Sequence, residues 1–298
     1  KKIAKWDPDI FITNMRIYPI SLMAAKLANK LGKPSFLIEH VSGRFKMKDP
    51  VTSYLSKQYE SMFTDYLKKK ITRFYGVSSA CEDWLAEFGI RSRGAIPNGI
   101  DPGSKADTGL FLRKYDLTED AYIISFAGRL LPEKGAKKLL KAFLKLSADY
   151  ENIFLSIAGG GPDYDELKNE IQGNEKIILT GEIEHDEVMS MLAASKIAVL
   201  PGDYPEGLPT IILEGGISGC AVAATPMGGT KEIIEDRKTG LIIEESNVDK
   251  IAEAIEIYLK DEDFRCKMSD NLLRRIREEY TWDKIAQKLA DEIRSVLH

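Results

Sequence analysis

Two glutamates stand eight residues apart in the stretch YPEGLPTIILE, one on each side of a predicted helix start. Pro209 suits the first helical position because a proline there loses no N–H group that the helix needs. Glu206 precedes it, and Glu214 would lie about 7.5 Å further along the axis. Gly207 permits close backbone approach, and first-turn N–H groups near Thr210 can bind a phosphate. This arrangement suits a ligand with hydroxyls at both ends and phosphate between them, which is the layout of a nucleotide sugar.

Arg129 and Lys134 form a second candidate anion site, in FAGRLLPEKGAKKLL. They lie on a loop that leaves an apolar, strand-like run and enters a helix, where two fixed cations and the helix N-terminus favour negative charge. Both patterns also have an ordinary explanation. A glutamate at a helix start is favoured by the helix dipole, a second one can face solvent, and surface cations near a helix start are common.

Other polar residues allow weaker interpretations. His40 ends a strand-like run in LIEHVSG, where it is a candidate ligand contact or proton carrier, with a structural role as the alternative. The stretch AGGGPDYDEL predicts a tight glycine turn with Asp163 as a helix N-cap. Asp-x-Asp pairs at residues 7–9, 163–165 and 261–263 could bind a divalent cation, but turns and helix caps account for them, so we predict no metal site.

The elements that must position these residues alternate between strands and helices. From residue 122 onward, helix-like segments such as 134–150 and 185–195 separate most of a series of short, apolar, β-rich runs. This pattern predicts βαβ units and a parallel sheet with its ligand outside the carboxyl ends of the strands, as in a Rossmann-like domain. The runs are 122–128, 153–159, 176–181, 196–201, 220–225 and 240–244.

The first hundred residues show a shorter version of the same rhythm. Predicted strands at 9–14, 34–40 and 73–78 alternate with predicted helices at 20–32, 51–70 and 79–89. Three strands make a thin doubly wound domain, so we expect part of it to lie upstream of residue 1. The stretch 96–109 is dense in Pro, Gly, Asn and Asp and predicts a linker.

Charge divides the chain in the same way. Residues 1–100 hold 17 Lys and Arg against 9 Asp and Glu, whereas the remainder holds 25 against 37. No apolar run approaches the roughly 18–20 residues of a membrane span, and no motif indicates nucleic-acid binding. The three cysteines are odd in number and far apart, which favours a reducing cytoplasm.

One basic segment has two interpretations. Apolar residues recur near helical spacing along 51–67, the segment ends in Lys68–Lys70, and Lys46 and Lys48 precede it. It is either an ordinary core helix with a solvated lysine tail or a helix that docks peripherally on an anionic membrane. The second interpretation would suit a lipid-linked or phosphorylated acceptor and a location at the inner face of the membrane.

Taken together and in this order, these motifs resemble the GT-B-fold retaining glycosyltransferases of the large group 1 family. The resemblance covers nearly the whole chain. The family's Glu-x₇-Glu motif is matched by Glu206 to Glu214, and its G-R…K-G pair by Gly128-Arg129 and Lys134-Gly135. NGID, TPMGGTKEII and the closing TWDKIAQKLADEI also match.

The resemblance implies a fold of two Rossmann-like α/β domains facing a cleft, the N-terminal one incomplete. The acceptor-side domain would span 1–100 and the donor domain 101–276, and a helix at 277–298 would pack back on the first domain. Two departures stand out. Gly215-Gly216 replaces the usual Ala-Met, and the family's N-terminal glycine-rich loop is absent, so we do not expect this chain alone to be fully active.

The resemblance also implies roles for residues. Arg129 and Lys134 would hold the donor diphosphate, Glu206 the sugar hydroxyls, and Glu214 the ribose hydroxyls. Backbone near Ile183 would meet the base, and His40 would face the sugar as a further catalytic-site residue. The implied donor site is completed by Gly128, Gly207, Leu208, Pro209 and Thr210.

The implied activity is transfer of a sugar, with retention of configuration, from a nucleotide-diphosphate sugar to a glycan or lipid-linked acceptor in polysaccharide biosynthesis at the cell envelope. A UDP-sugar is the expected donor, with no metal or other cofactor. Two alternatives stay open. One is a nucleotide-sugar epimerase of the same fold, and the other is a non-catalytic subunit that binds a nucleotide sugar.

Overall fold

The computed structural model describes residues 6–44, 49–103 and 106–297. The described strands are β1 (Phe11–Asn14), β2 (Ser35–Glu39), β3 (Arg73–Gly76), β4 (Tyr122–Ala127), β5 (Ile153–Ala158), β6 (Ile177–Gly181), β7 (Ile197–Leu200), β8 (Ala221–Ala224) and β9 (Leu241–Ile242). The described helices are α1 (Pro19–Leu31), α2 (Pro50–Lys68), α3 (Ser79–Glu87), α4 (Thr108–Lys114), α5 (Ala136–Leu146), α6 (Tyr164–Glu170), α7 (His185–Ala194), α8 (Thr210–Ile217), α9 (Thr230–Ile233), α10 (Val248–Lys260), α11 (Glu262–Glu279) and α12 (Trp282–Leu297).

The chain forms two compact units, and neither is continuous in sequence. The first unit contains Lys1–Asn98, Pro205–Leu208 and Trp282–His298, and the second contains Gly99–Tyr204 and Pro209–Thr281. The four residues of the EGL loop, Pro205–Leu208, therefore belong to a different unit from the residues on either side of them. None of the helices in the described ranges has the length and apolar character needed to cross a bilayer.

The first unit is built on a parallel sheet in which β2 lies between β1 and β3. Every residue of β2 is buried, so both faces of the sheet are covered there. Helix α12 is attached to β3 by polar contacts: the Arg73 guanidinium lies 2.9 Å from a Glu292 carboxylate oxygen, and the Tyr75 hydroxyl donates to the same oxygen at 2.7 Å.

The second unit is a parallel sheet in the order β6-β5-β4-β7-β8-β9, which is the Rossmann strand order. The order reverses between β4 and β7, and ligands of such sheets bind outside the carboxyl ends of the strands at that reversal. The predicted α/β fold with parallel sheets is confirmed. The predicted strands are also confirmed, and their ends agree to within two residues.

The predicted linker at 96–109 contains the boundary between Asn98 of the first unit and Gly99 of the second, and its last two residues belong to α4, which begins at Thr108. Two other local predictions are wrong. Pro209 is the N-cap of α8 rather than its first residue, since its ψ of 103° is extended. Asp163 occupies the N-cap position of α6 without capping it, because its carboxylate turns instead to the Lys137 ammonium group at 3.3 Å.

Helix α2 forms as predicted, but its apolar residues divide between two faces. Leu67 is fully buried, as a core helix requires. Val51, Leu55 and Met62 are 65%, 59% and 62% exposed, so the core interpretation fails for these three. Lys46 and Lys48 lie outside the described residues. The outcome is a helix with an apolar stripe on its solvent side.

Helix α8 contains Gly215 and Gly216, each of which costs a helix about 1 kcal/mol relative to alanine. Packing explains their presence. A Cβ on Gly215 would lie 3.2 Å from the Ala198 Cβ. A Cβ on Gly216 would overlap the Ile276 side chain and lie 2.8 Å from the Leu272 Cγ. The glycines therefore let α8 lie directly against β7 on one side and α11 on the other.

Gly216→Val should lower the free energy of unfolding by about 1–3 kcal/mol, because the valine side chain would be forced into the closely packed interface between α8 and α11. Urea titration followed by circular dichroism measures the effect. Gly103→Val is the matched control, since Gly103 is exposed and its nearest neighbour is the Asp101 side chain. Equal stability of the two variants would contradict close packing of α8 on α11.

Candidate functional site

The loop that follows β4 is held by backbone contact with the loop that follows β5. Gly128 has a φ of +155°, and its N–H donates to the Ala158 carbonyl at 3.0 Å. The Leu130 N–H donates to the Gly160 carbonyl at 2.8 Å. A Cβ on Gly159 would overlap the Gly128 carbonyl oxygen. The position of the β4 loop therefore depends on the glycine turn, which the sequence predicts only as a turn.

Tyr204 brings the two predicted cations together. The Arg129 guanidinium donates to the Tyr204 hydroxyl at 3.1 Å, and the Lys134 ammonium nitrogen lies 4.5 Å from the centre of the Tyr204 ring. A Cβ on Gly135 would lie 2.7 Å from the Pro201 carbonyl oxygen, so the β7 loop reaches the end of the β4 loop without an intervening side chain. Two cations therefore converge at the strand-order reversal, where an anion is expected.

Helix α8 begins beyond the β7 loop and offers further donors. The N–H groups of Thr210 and Ile211 donate to no acceptor in the described part of the chain, as expected for a first helical turn. Glu214 lies further along this helix and is half-buried. Burial raises the pKa of its carboxyl, and the nearby charge of His185 opposes the rise. His185 opens α7, two residues after Ile183.

In the first unit, three side chains hold three successive carbonyl groups of the EGL loop. The Ser42 hydroxyl donates to the Glu206 carbonyl, and the Ser78 hydroxyl donates to the Gly207 carbonyl at 2.8 Å. The Asn98 side-chain amide donates to the Leu208 carbonyl at 3.3 Å. These bonds fix the backbone from the Glu206 carbonyl to the Leu208 carbonyl. They also give the asparagine of the NGID motif a function that sequence analysis did not assign.

His40 lies beside the same loop within the first unit. A Cβ on Gly207 would overlap the His40 carbonyl oxygen, so glycine is required for this approach. The His40 Nε2 lies 3.0 Å from the Asn14 side-chain oxygen, at the end of the neighbouring strand. Burial lowers the pKa of the imidazole below 6.5, which keeps the ring neutral at pH 7. His40 is therefore suited to hydrogen bonding rather than to carrying a charge.

The predicted residues divide between the units. His40 and Glu206–Leu208 lie in the first unit, whereas Gly128, Arg129, Lys134, Ile183, Pro209, Thr210 and Glu214 lie in the second. Tyr204 was missed, although its position directly before PEGLP was a usable signal. Ser42 and Ser78 had no such signal, because hydrogen bonds to carbonyls distant in sequence follow no local pattern. No group of three or more His, Cys, Asp or Glu within residues 6–44, 49–103 and 106–297 has metal-binding geometry.

The family model for glycosyl transferases group 1 matches residues 109–275, more than half of the chain. The chain belongs to this family. An uncharacterized glycosyltransferase of Methanocaldococcus jannaschii is 25% identical over 288 residues, which cover 94% of this chain and 73% of that protein.

A second relative has a more specific name. The GDP-mannose-dependent alpha-(1-6)-phosphatidylinositol monomannoside mannosyltransferase of Mycobacterium tuberculosis is 29% identical over 215 residues, which cover 67% of this chain and 55% of that protein. Among solved structures, that of Anabaena Alr3699/HepE in complex with UDP matches with a TM-score of 0.84 at 17% identity, over 99% of this chain and 81% of that chain. At this identity the likeness shows the fold alone, that of the GT-B glycosyltransferases.

Glu214→Gln should stabilise this group 1 glycosyltransferase at neutral pH while weakening nucleotide binding. The folded pKa of Glu214 is raised, so its favourable contribution is present at low pH and is lost as the pH rises through that pKa. Glutamine removes the cost of the buried charge, and it also removes a charged acceptor for ligand hydroxyls. We expect a higher thermal midpoint at pH 7, no difference below about pH 4, and roughly tenfold weaker UDP binding.

Glu253→Gln is the matched control, because Lys250 lowers the pKa of that exposed carboxyl. Its thermal midpoint at pH 7 should not rise, and UDP binding should be unchanged. A Glu214→Gln protein that is less stable than the parent at pH 7 would contradict a half-buried carboxylate whose charge is costly.

Proposed function

We propose that this protein transfers a sugar, with retention of configuration, from a nucleotide-diphosphate sugar to a hydroxyl of an acceptor, without a metal ion. The observation that carries the proposal is the convergence of Arg129 and Lys134 on Tyr204 at the strand-order reversal. A pair of fixed cations there, with the N-terminus of α8 following in the chain, suits a diphosphate.

The proposed chemistry places the main electrostatic demand on the leaving group. The acceptor oxygen attacks the anomeric carbon, the bond from that carbon to the diphosphate oxygen breaks, and the acceptor proton passes to the departing phosphate. Negative charge grows on the diphosphate as the bond breaks. Arg129, Lys134 and the N–H groups at the start of α8 would stabilise that charge, a role a divalent cation plays elsewhere. Departure and attack on the same face of the sugar give retention.

Further residues of each unit have binding roles in this proposal. Glu206 would accept hydrogen bonds from sugar hydroxyls, and its backbone is already fixed by the Ser42 contact. His40 would meet the sugar as a neutral ring, in keeping with its lowered pKa. Glu214 would accept from the ribose hydroxyls, and backbone near Ile183 would meet the base.

The names of the relatives suggest candidates for the donor base and the acceptor. The name of the mycobacterial relative specifies GDP-mannose and a phosphatidylinositol glycolipid, whereas the Anabaena structure holds UDP. We favour a UDP-sugar as donor and a glycan or lipid-linked acceptor. The chain spans about half of the length of the mycobacterial relative.

Arg129→Ala and Lys134→Ala should each lower kcat by roughly 10²–10³, the scale of losing one donor to a developing oxyanion. Transfer is measured with a panel of labelled UDP- and GDP-sugars, and NMR of the product reports the anomeric configuration. Activity should survive excess EDTA. Lys141→Ala is the control, since Lys141 is an exposed lysine on α5.

Each alternative activity gives a distinct result in this assay. Recovery of an epimerised donor would indicate an epimerase, and donor binding without turnover would indicate a binding subunit. An inverted product would contradict retention, and loss of activity on chelation that Mg²⁺ or Mn²⁺ restores would contradict the metal-free chemistry. Wild-type turnover in either cation variant would remove the diphosphate assignment.

We further propose that the first unit docks peripherally on an anionic membrane through α2. The solvent side of this helix carries the apolar side chains of Val51, Leu55 and Met62, and the helix is followed by Lys69 and Lys70. An exposed apolar stripe next to cations is the pattern of a helix that lies in the membrane interface. Each cation near an anionic surface contributes about 1 kcal/mol.

Co-sedimentation with vesicles tests this docking. Binding should occur with anionic but not neutral lipid, should fall as salt rises, and should weaken when Lys68, Lys69 and Lys70 become glutamine. Leu55→Glu should weaken it further by placing a charge in the stripe. The control replaces three lysines of the second unit, Lys141, Lys168 and Lys267, by glutamine. Equal binding to anionic and neutral vesicles would overturn the proposal.

A further inference from the structure

A pocket of about 350 Å³ opens inside the first unit against the inner side of α2. This volume is near the lower end of the range for ligand pockets, so it has room for one ring and its substituents. Three cations, one carboxylate and two aromatic rings contribute to its lining: Arg16, Arg44, Lys57, Glu60, Tyr59 and Trp84.

Arg16 is fully buried at the base of the pocket and is only partly satisfied. One terminal nitrogen lies 2.6 Å from the Glu39 carboxylate, and the other bonds to Glu60. Its guanidinium carbon lies 4.1 Å from the centre of the Phe88 ring. The Arg16 Nε–H has no hydrogen-bond partner in the described part of the chain. The side chain has no accessible surface, so Arg16 supplies positive charge behind the pocket wall and is not itself a donor to a ligand.

Arg44 extends the positive charge to the mouth of the pocket. Its Nε donates to Glu60 at 3.1 Å, and its guanidinium carbon lies 5.2 Å from the centre of the Trp84 ring. The side chain is 46% exposed, which leaves its outer N–H groups accessible. Glu60 is shared by two arginines, and Lys57 adds a third cation, so the lining keeps an excess of positive charge.

The pocket adjoins the loop that carries Glu206. Val41 and Gly43 line the pocket, and Ser42 between them holds the Glu206 carbonyl. A Cβ on Gly43 would lie 3.0 Å from the Pro205 Cβ. A compound seated in the pocket is therefore next to the residue assigned to the transferred sugar.

We propose that this pocket binds the acceptor and that the acceptor carries a phosphate group on a hydroxylated ring. The outer N–H groups of Arg44 and the Lys57 ammonium group match phosphate oxygens, while Tyr59 and Trp84 offer apolar surface to the ring. That the bound compound is the acceptor rests on the transferase function proposed above, whereas binding of a phosphorylated ring rests on the pocket alone. A soluble sugar phosphate and a lipid headgroup share this chemistry.

Calorimetric titration of the 298-residue chain with glucose 6-phosphate and with glucose tests the phosphate requirement. Glucose 6-phosphate should bind at least tenfold more tightly than glucose. Arg44→Gln/Lys57→Gln should weaken it by at least tenfold, because charged hydrogen bonds are lost. Arg91→Gln/Lys30→Gln removes the same charge from exposed positions of the same unit and should leave binding unchanged. Equal binding of the two sugars, or equal loss in both double variants, would overturn the proposal.

Two further arms separate the sources and the functions. Binding to phosphatidylinositol vesicles that Arg44→Gln/Lys57→Gln abolishes supports a lipid headgroup, and binding of glucose 6-phosphate without such vesicle binding supports a soluble acceptor. Titration with UDP is the second arm. UDP binding without glucose 6-phosphate binding would overturn the pocket and leave the proposed transferase standing, and the opposite result would leave the pocket and overturn the nucleotide-sugar donor.

Discussion

The candidate diphosphate site of the second unit depends on close backbone contact between loops. This contact is possible because glycines lie where the loops come closest. Gly159 lies against the Gly128 carbonyl, and Gly135 lies against the Pro201 carbonyl. These contacts set the separation of the loops that carry Arg129 and Tyr204. Long cationic side chains lose conformational entropy when they are fixed, and the rigid loops limit that cost. The glycines therefore help to determine where the two cations lie, because they fix the loops that carry them.

Much of the fold could be predicted from the sequence because buried parallel strands are short, apolar and β-rich. The strands of both units follow from that pattern. The order of the strands in the sheet does not follow from it, because hydrophobicity indicates that a strand is buried but not which strand pairs with it. In the site, Arg129 and Lys134 were predictable from their place after a strand. Asn98 was not predicted to hold the Leu208 carbonyl, because a contact across 110 positions leaves no periodic trace. Helix α2 shows a further limit. Helical spacing predicts that its apolar residues share a face of the helix, but it does not predict whether the protein core or solvent lies against that face.

Buried charge appears in both units with different outcomes. In the first unit, burial raises the pKa of Glu39 while the Arg16 guanidinium opposes the rise, and the two groups are in direct contact. A buried ion pair contributes little net stability, but it fixes geometry, because each group has few alternative partners. In the second unit Glu214 has no such contact partner among the described side chains. The Arg16–Glu39 pair fixes the position of Arg16 in the pocket lining, whereas Glu214 keeps a carboxylate available for hydrogen bonding.

The discontinuity of the first unit has a consequence for the order of events during synthesis. Residues up to Asn98 leave the ribosome before the second unit is made, yet Arg73 and Tyr75 bind Glu292, which is made about 200 residues later. At roughly 5–20 residues per second, the intervening chain of about 200 residues takes about 10–40 s to synthesise. During that interval the sheet of the first unit lacks helix α12, and for about the first half of it the EGL loop is missing as well. The first unit therefore stays incompletely covered until helix α12 has been synthesised.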